Sequence, residues 1–145
     1  MKIESVLATK STSVTTVRPD QSLKAAAALL AEHDLGALIV VGAAGEILGV
    51  ISERDIVREA ARSDGVLAQT VSQVMTTDVI TAAPEDDLVA ILETMTTGHF
   101  RHLPIVDHGE LCGIVSIADV VKAQLDDYRG EVDTLQTQIM EEGQS

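Results

Sequence analysis

The chain has 145 residues, enough for one compact domain or for two small halves sharing one core. Its apolar fraction of 46% is ample for burial, yet Phe100 and Tyr128 are the only aromatics, so the core must be built from Val, Ile, Leu, Ala and Met. A net charge of −13, from 10 basic against 23 acidic residues, opposes phosphate backbones and anionic lipid and argues against nucleic-acid and membrane partners, though a pocket needs only local positive potential to hold a nucleotide.

The opening MKIESVLATK has no apolar signal core, and no stretch is long enough to span a bilayer, so a cytoplasmic protein is expected. Ser13 to Val17 reads as a short strand. Ser22 can cap a helix through Glu32, with Leu23, Ala26, Ala27 and Leu30 on one face and Gly36 ending it. Ala37 to Val41 and Glu46 to Ile51 are apolar strands joined by a turn at Gly42 to Gly45. Ser52 starts a helix through about Arg62, and the polar stretch Ser63 to Ser72 reads as a linker. Asp78 to Thr81 is the next short strand. Leu88, Ile91, Leu92 and Met95 form a helical stripe, preceded by Glu85, Asp86 and Asp87 where a helix dipole favours negative charge. Leu103 to Val106 and Leu111 to Val115 are strands joined through Asp107 to Glu110. Cys112, the single cysteine, excludes an intramolecular disulfide and reads as a small buried hydrophobe. Ser116 opens the last helix, whose pattern runs past Asp127. The acidic, amphipathic tail from Gly130 to Ser145, with Val132, Leu135 and Ile139 at helical spacing, can pack on its own module, pack on a second copy, or fray.

This order contains a repeat. Pro19-Asp20-Gln21-Ser22-Leu23 returns 65 residues later as Pro84-Glu85-Asp86-Asp87-Leu88, and Gly49-Val50-Ile51-Ser52-Glu53-Arg54-Asp55 returns 64 residues later as Gly113-Ile114-Val115-Ser116-Ile117-Ala118-Asp119. Each copy reads as β-α-β-β-α. The expected division is residues 1–62 for the first repeat, 63–72 for the linker, 73–126 for the second repeat and 127–145 for a helical tail.

The repeated Gly-x-x-Ser-x-x-Asp admits two readings. In one it is a capping box: Ser accepts a backbone N–H at a helix start, and Asp reaches back to the cap. In the other, the helix N-terminus offers N–H groups and positive potential to an anion, Ser adds a bond to phosphate or ribose, and the Asp carboxylate accepts from the vicinal diol of a ribose. Duplication after two glycine-containing strands favours the second reading.

With these motifs, together with His33-Asp34-Leu35-Gly36-Ala37-Leu38-Ile39-Val40-Val41, Val74-Met75-Thr76 and Arg101-His102-Leu103-Pro104-Ile105-Val106, the chain resembles tandem cystathionine-β-synthase (CBS) domains, the Bateman module, from about Val6 to Val121. It looks most like small stand-alone members. The resemblance implies an α/β (α+β) fold of two repeats packed through their sheets about a pseudo-twofold axis, often as a homodimer. It implies a regulatory, energy-sensing role. An adenosine-containing ligand (AMP, ADP, ATP, S-adenosylmethionine or sometimes NAD(H)) would sit in the clefts between repeats, and its occupancy would pass to a separate effector protein. Carried over, Asp55 and Asp119 would hold ribose, Ser52 and Ser116 would contact phosphate or ribose, and Thr15, Thr16, Ile80 and Thr81 would line an adenine slot. Met75 and Thr76 either begin the second repeat or lie beside the cleft.

Arg18, Arg54, Arg58, Arg101 and His102 are the candidate phosphate ligands; Arg54 and Arg101 could equally be solvated or carboxylate-paired surface groups, and for Arg18 and Arg58 that surface reading is the favoured one. The second motif has Ala118 where the first has Arg54, so the two sites are unequal in positive charge, and Arg54 would favour phosphate at the first unless Arg101 or His102 reaches across the cleft. His33, His99, His102 and His108 could suggest a metal, but His99 and His102 lie in a helix-to-strand connection with no cysteine or carboxylate at ligand spacing, so no metal is expected. No nucleophile-base pair, P-loop or GxGxxG is present, and no enzyme activity is expected. A ligand-free structural adaptor and an NAD(H)-binding protein remain as alternatives.

Overall fold

A computed structural model describes residues 1–8 and 14–143. In chain order its elements are α1 Ile3–Leu7, β1 Thr16–Val17, α2 Leu23–His33, β2 Ala37–Val41, β3 Ile47–Ser52, α3 Glu53–Arg62, a 3-10 turn Val66–Ala68, α4 Val71–Val74, α5 Leu88–Gly98, β4 His102–Asp107, β5 Glu110–Ser116 and α6 Ile117–Gly143. The chain is a mixed α/β protein with two small sheets. It divides into two compact units: one holds described residues 14–80, and the other holds 1–8 with 81–143.

In the unit of residues 14–80 the sheet order is β1-β2-β3. β1 runs parallel to β2, with Thr16 beside Ile39. β3 returns antiparallel, with Ala37 beside Ser52 and Ile39 beside Val50. Leu38, Ile39, Val40 and Ile51 are fully buried, and α2 covers the sheet with Leu23, Ala26 and Leu30. Ser22 caps α2 by accepting from the Ala25 N–H at 3.1 Å.

The second unit repeats the hairpin. β4 and β5 pair antiparallel from His102 beside Ser116 to Asp107 beside Glu110, closed by His108-Gly109, both at positive φ (50° and 81°). Two successive left-handed residues match the strand twist in a two-residue hairpin. Leu88, Ile91 and Met95 of α5 are buried, and Leu92 packs partly buried beside them. Asp87 caps that helix, accepting from the Ala90 N–H at 3.2 Å. Cys112 is half-buried against the same core.

Four expectations change. α2 ends at Asp34, whose φ of 53° makes it the left-handed cap two residues before Gly36. His99 does the same for α5; Asp and His are among the few non-glycine residues that tolerate this conformation. The expected strand Ser13 to Val17 is two residues long, and Ser13 lies outside the described residues. Asp78 to Thr81 forms no strand. The Val79 N–H turns back to the Thr77 carbonyl, and only Ala82 lies alongside β4, bridging Ile105. The stretch 63–72 carries the 3-10 turn and opens α4.

The helices that precede each repeat lodge in the body of the other. α4 folds with residues 14–80, and α1 folds with 81–143. The attachment is the same in both units. In one, Val71 donates to the Gln21 carbonyl (2.8 Å), Ser72 to that of Pro19 (3.0 Å), and Leu23 to that of Gln69 (2.8 Å). In the other, Ile3 donates to Asp86 (3.0 Å), Glu4 to Pro84 (2.8 Å), and Leu88 to Met1 (2.9 Å). Ile3 and Val71 are both fully buried beneath these bonds. The recurring Pro-x-x-x-Leu is therefore a docking strip for a short helix.

Beyond α4 the chain runs along β3, where Val50 and Thr76 exchange backbone hydrogen bonds of 3.0 and 2.9 Å. Gly49 admits it: a Cβ there would lie 2.7 Å from the Thr76 carbonyl oxygen and 2.9 Å from Met75 Sδ. At Gly113 a Cβ would meet only Leu7 Cδ2, at 2.8 Å, the end of a flexible side chain.

Two expected outcomes follow in urea titrations. Ile3→Ala removes a fully buried side chain and lowers stability by about 2–5 kcal/mol. Gly49→Ala costs about 1–3 kcal/mol because backbone must move, and Gly113→Ala costs less because a side chain can turn away.

Candidate functional site

Both repeated motifs end a strand and begin a helix, and both form complete capping boxes. Ser52 Oγ accepts from the Asp55 N–H at 3.1 Å, and Asp55 Oδ2 accepts from the Ser52 N–H at 2.9 Å. Ser116 and Asp119 repeat this at 3.1 and 2.8 Å. A further donor of each first turn is used by the neighbouring strand entry: Glu53 N–H donates to the Gly36 carbonyl (3.0 Å) and Ile117 N–H to that of Arg101 (2.8 Å). The cap and the neighbouring carbonyl together occupy two of the first three N–H groups of each helix, and they leave the Arg54 and Ala118 positions. Phosphate recognition at these termini would therefore depend on side chains. The Ser hydroxyl, used by the cap as an acceptor, keeps its own proton to donate, and Asp55 keeps Oδ1 outside the cap.

The strand ladder brings the other candidates to the same sheet ends. Ser52 lies beside Ala37 and Thr16 beside Ile39, so Thr16 stands two inter-strand spacings across the sheet from Ser52, about 10 Å, and two residues along it. Thr15 is half-buried and Thr16 exposed. Ile80 and Thr81 occupy the equivalent place before Ala82 and are both exposed.

His102 lies beside Ser116 in the β4–β5 ladder, directly after Arg101, whose carbonyl holds the N-terminus of α6. The backbone therefore sets Arg101 and His102 next to the second motif, the one with Ala118 in place of an arginine. In the first unit, Asp55 shares a depression of about 520 Å³ with Arg58, Glu59, Ala61, Arg62, Gln73 and Val74. Arg54 is exposed and does not line it, and Arg62 is held by Glu59 at 2.7 Å. Gln73 and Val74 were not expected here, because they come from α4 and no local pattern places that helix beside Asp55. Arg18 is exposed on the loop before α2.

The histidines sit on separate elements. His33 closes α2, His99 caps α5, and His108 lies in a hairpin turn with Asp107 at 2.9 Å. Among the described residues no group of three or more His, Cys, Asp or Glu is placed to hold a metal, and no helix is long and apolar enough to cross a membrane.

The family model for the CBS domain matches this chain twice, over residues 4–62 and 71–126. The chain belongs to the CBS domain family. The CBS domain-containing protein YhcV of Bacillus subtilis is 36% identical over 124 residues, covering 85% of this chain and 87% of that protein. The crystal structure of the CBS-domain containing protein ATU1752 from Agrobacterium tumefaciens superposes with a TM-score of 0.81 at 40% identity, over 86% of this chain and 99% of that one. The CBS domain pair of protein MJ0100, crystallised in complex with 5-methylthioadenosine and S-adenosyl-L-methionine, shares the fold with a TM-score of 0.77 at 23% identity, over 88% of this chain and 98% of that one.

The CBS motif's serines carry a structural duty whatever else they bind. Ser52→Ala is expected to lower stability by about 1 kcal/mol, with Ser52→Asp restoring most of it as an alternative cap; chemical denaturation measures both.

Proposed function

We propose that this CBS-domain chain is a non-catalytic regulatory module. It binds an adenosine-containing ligand, AMP, ADP or ATP in preference to S-adenosylmethionine or NAD(H), and passes its occupancy to a separate effector protein in the cytoplasm. The carrying observation is the pair of capping boxes: each fixes an Asp carboxylate at the start of a helix, at equivalent places in the two repeats. Asp55 and Asp119 supply acceptors for a ribose diol, and Ser52 and Ser116 supply a hydroxyl proton. Thr15, Thr16, Ile80 and Thr81 present backbone groups to the base. Arg54 and Arg58 near the first motif, and Arg101 and His102 near the second, favour a phosphorylated ligand. The shared fold of a pair crystallised with adenosyl ligands supports the ligand class. Signalling requires that the ligand bind two states of the module with different affinity.

One observation favours a second reading, a ligand-free adaptor: both capping boxes are complete without any ligand. Calorimetry separates the two, using protein freed of nucleotide and AMP, ADP, ATP, S-adenosylmethionine, NAD⁺ and NADH. Saturable binding of one ligand supports the sensor, and a flat panel supports the adaptor. Asp55→Asn keeps an oxygen for the Ser52 N–H but loses the charged acceptor, so it is expected to weaken binding by about 10–100-fold with little change in unliganded stability. Unchanged affinity in both Asp55→Asn and Asp119→Asn would overturn the ribose assignment.

A further inference from the structure

α6 runs for 27 residues, Ile117–Gly143, well beyond the three or four turns usual in globular proteins. Its first turns are anchored: Val120 is buried, and Ile117 and Ala123 pack on the core. From Tyr128 to Met140 every residue is exposed except the half-buried Val132. A helical segment of this length with no packed face is marginal in water.

Six of its apolar residues follow a rule, with Met140 off the stripe. Val121, Leu125, Tyr128, Val132, Leu135 and Ile139 are separated by 4, 3, 4, 3 and 4 residues, the 3.5-residue period of a coiled-coil seam. Leu125, Val132 and Ile139 fall at a positions, and Val121, Tyr128 and Leu135 at d. Tyr128, Leu135 and Ile139 are 62%, 57% and 68% exposed. Asp126, Asp127 and Asp133 lie at b and c positions away from the seam, and Glu131, at a g position, is the one acidic residue flanking it between Leu125 and Ile139.

We propose that this stripe joins α6 of a second copy of the chain in a parallel two-stranded coiled coil. Charge selects both the occupant and the direction. Parallel helices set each g residue beside the next e residue of the other copy, pairing Gln124 with Arg129 and Glu131 with Gln136, so no like charges meet. The antiparallel pairing that matches all six stripe positions would set Glu131 against Glu131 and Arg129 against Arg129. β-branched residues at two of three a positions also suit two parallel strands.

The test uses the full chain with Cys112→Ser. Val132→Cys places a thiol in a layer that faces itself only when the helices are parallel, within the roughly 7 Å between Cα atoms that a disulfide requires. Asp126→Cys, off the seam, is the control. Mild oxidation is expected to give covalent dimer from Val132→Cys and none from Asp126→Cys, and the product is lost when Leu135→Asp and Ile139→Asp are added. Four results overturn the proposal: equal cross-linking of both variants, a Val132→Cys cross-link that survives the two added charges, preferential cross-linking of Val132→Cys with Tyr128→Cys chains, or a monomer by light scattering. Adenosyl-ligand titration of the same variants reads the sensor reading separately.

Discussion

Three backbone hydrogen bonds, made twice, are the constraint on which the rest depends. In each unit a short helix lends two N–H groups and a preceding carbonyl to a Pro-x-x-x-Leu strip, and that strip's Leu begins the helix covering the sheet. The bonds lie over fully buried Ile3 or Val71, where an unmade backbone pair would leave desolvated polar groups. In the unit of residues 14–80, the chain leaving α4 reaches β3 and pairs with Val50, two residues before Ser52. The strand that delivers the Ser-x-x-Asp motif is thus held on both edges, by β2 and by Thr76. Gly49 is required by this approach of backbone to backbone.

The structural and ligand-binding readings of Ser-x-x-Asp are compatible. A capping box fixes the Asp side chain in one rotamer through the Ser N–H, so the ordering cost of that carboxylate is met by folding and not by ligand capture. The same box limits what the helix terminus can offer an anion. On the proposed reading charge recognition falls to side chains, and the two repeats carry different cations near the motif: on α3 in one, and at the entry to β4 in the other. The two motifs are alike in their capping geometry and unlike in the cationic residues around them, which on the proposed reading is a basis for unequal affinity.

The repeat, the helix stripes and both hairpins were legible because each rests on local pattern: the 3.6-residue spacing of Leu88, Ile91, Leu92 and Met95, or the turn chemistry of Gly42 to Gly45. The family followed from landmarks that the fold uses for backbone geometry, such as Gly49 and Pro19. What was illegible is non-local. Nothing near Val71 says that it belongs under Gln21, and nothing near Ile3 says that it belongs under Asp86. The short strand at Asp78 to Thr81 failed for a related reason: β-branched composition gives propensity, but a strand needs an edge beside it, and only Ala82 has one. Gln73 and Val74 were missed as neighbours of Asp55 on the same account. The capping boxes were anticipated as one of two readings, and their completeness emerged only from the distances.

The exchange of α1 and α4 also imposes an order of events during synthesis. The body of residues 14–80 contains all of its own segments and can close once Thr76 is available. The other body cannot, because α1 is made first and its acceptors, Pro84 and Asp86, are made about eighty residues later. At about 5–20 residues per second the nascent α1 waits several seconds, with Ile3 and Val6 uncovered. The N-terminal repeat can therefore close while the segment in front of it still lacks its acceptors, and the last strand pair to emerge meets a segment already synthesised.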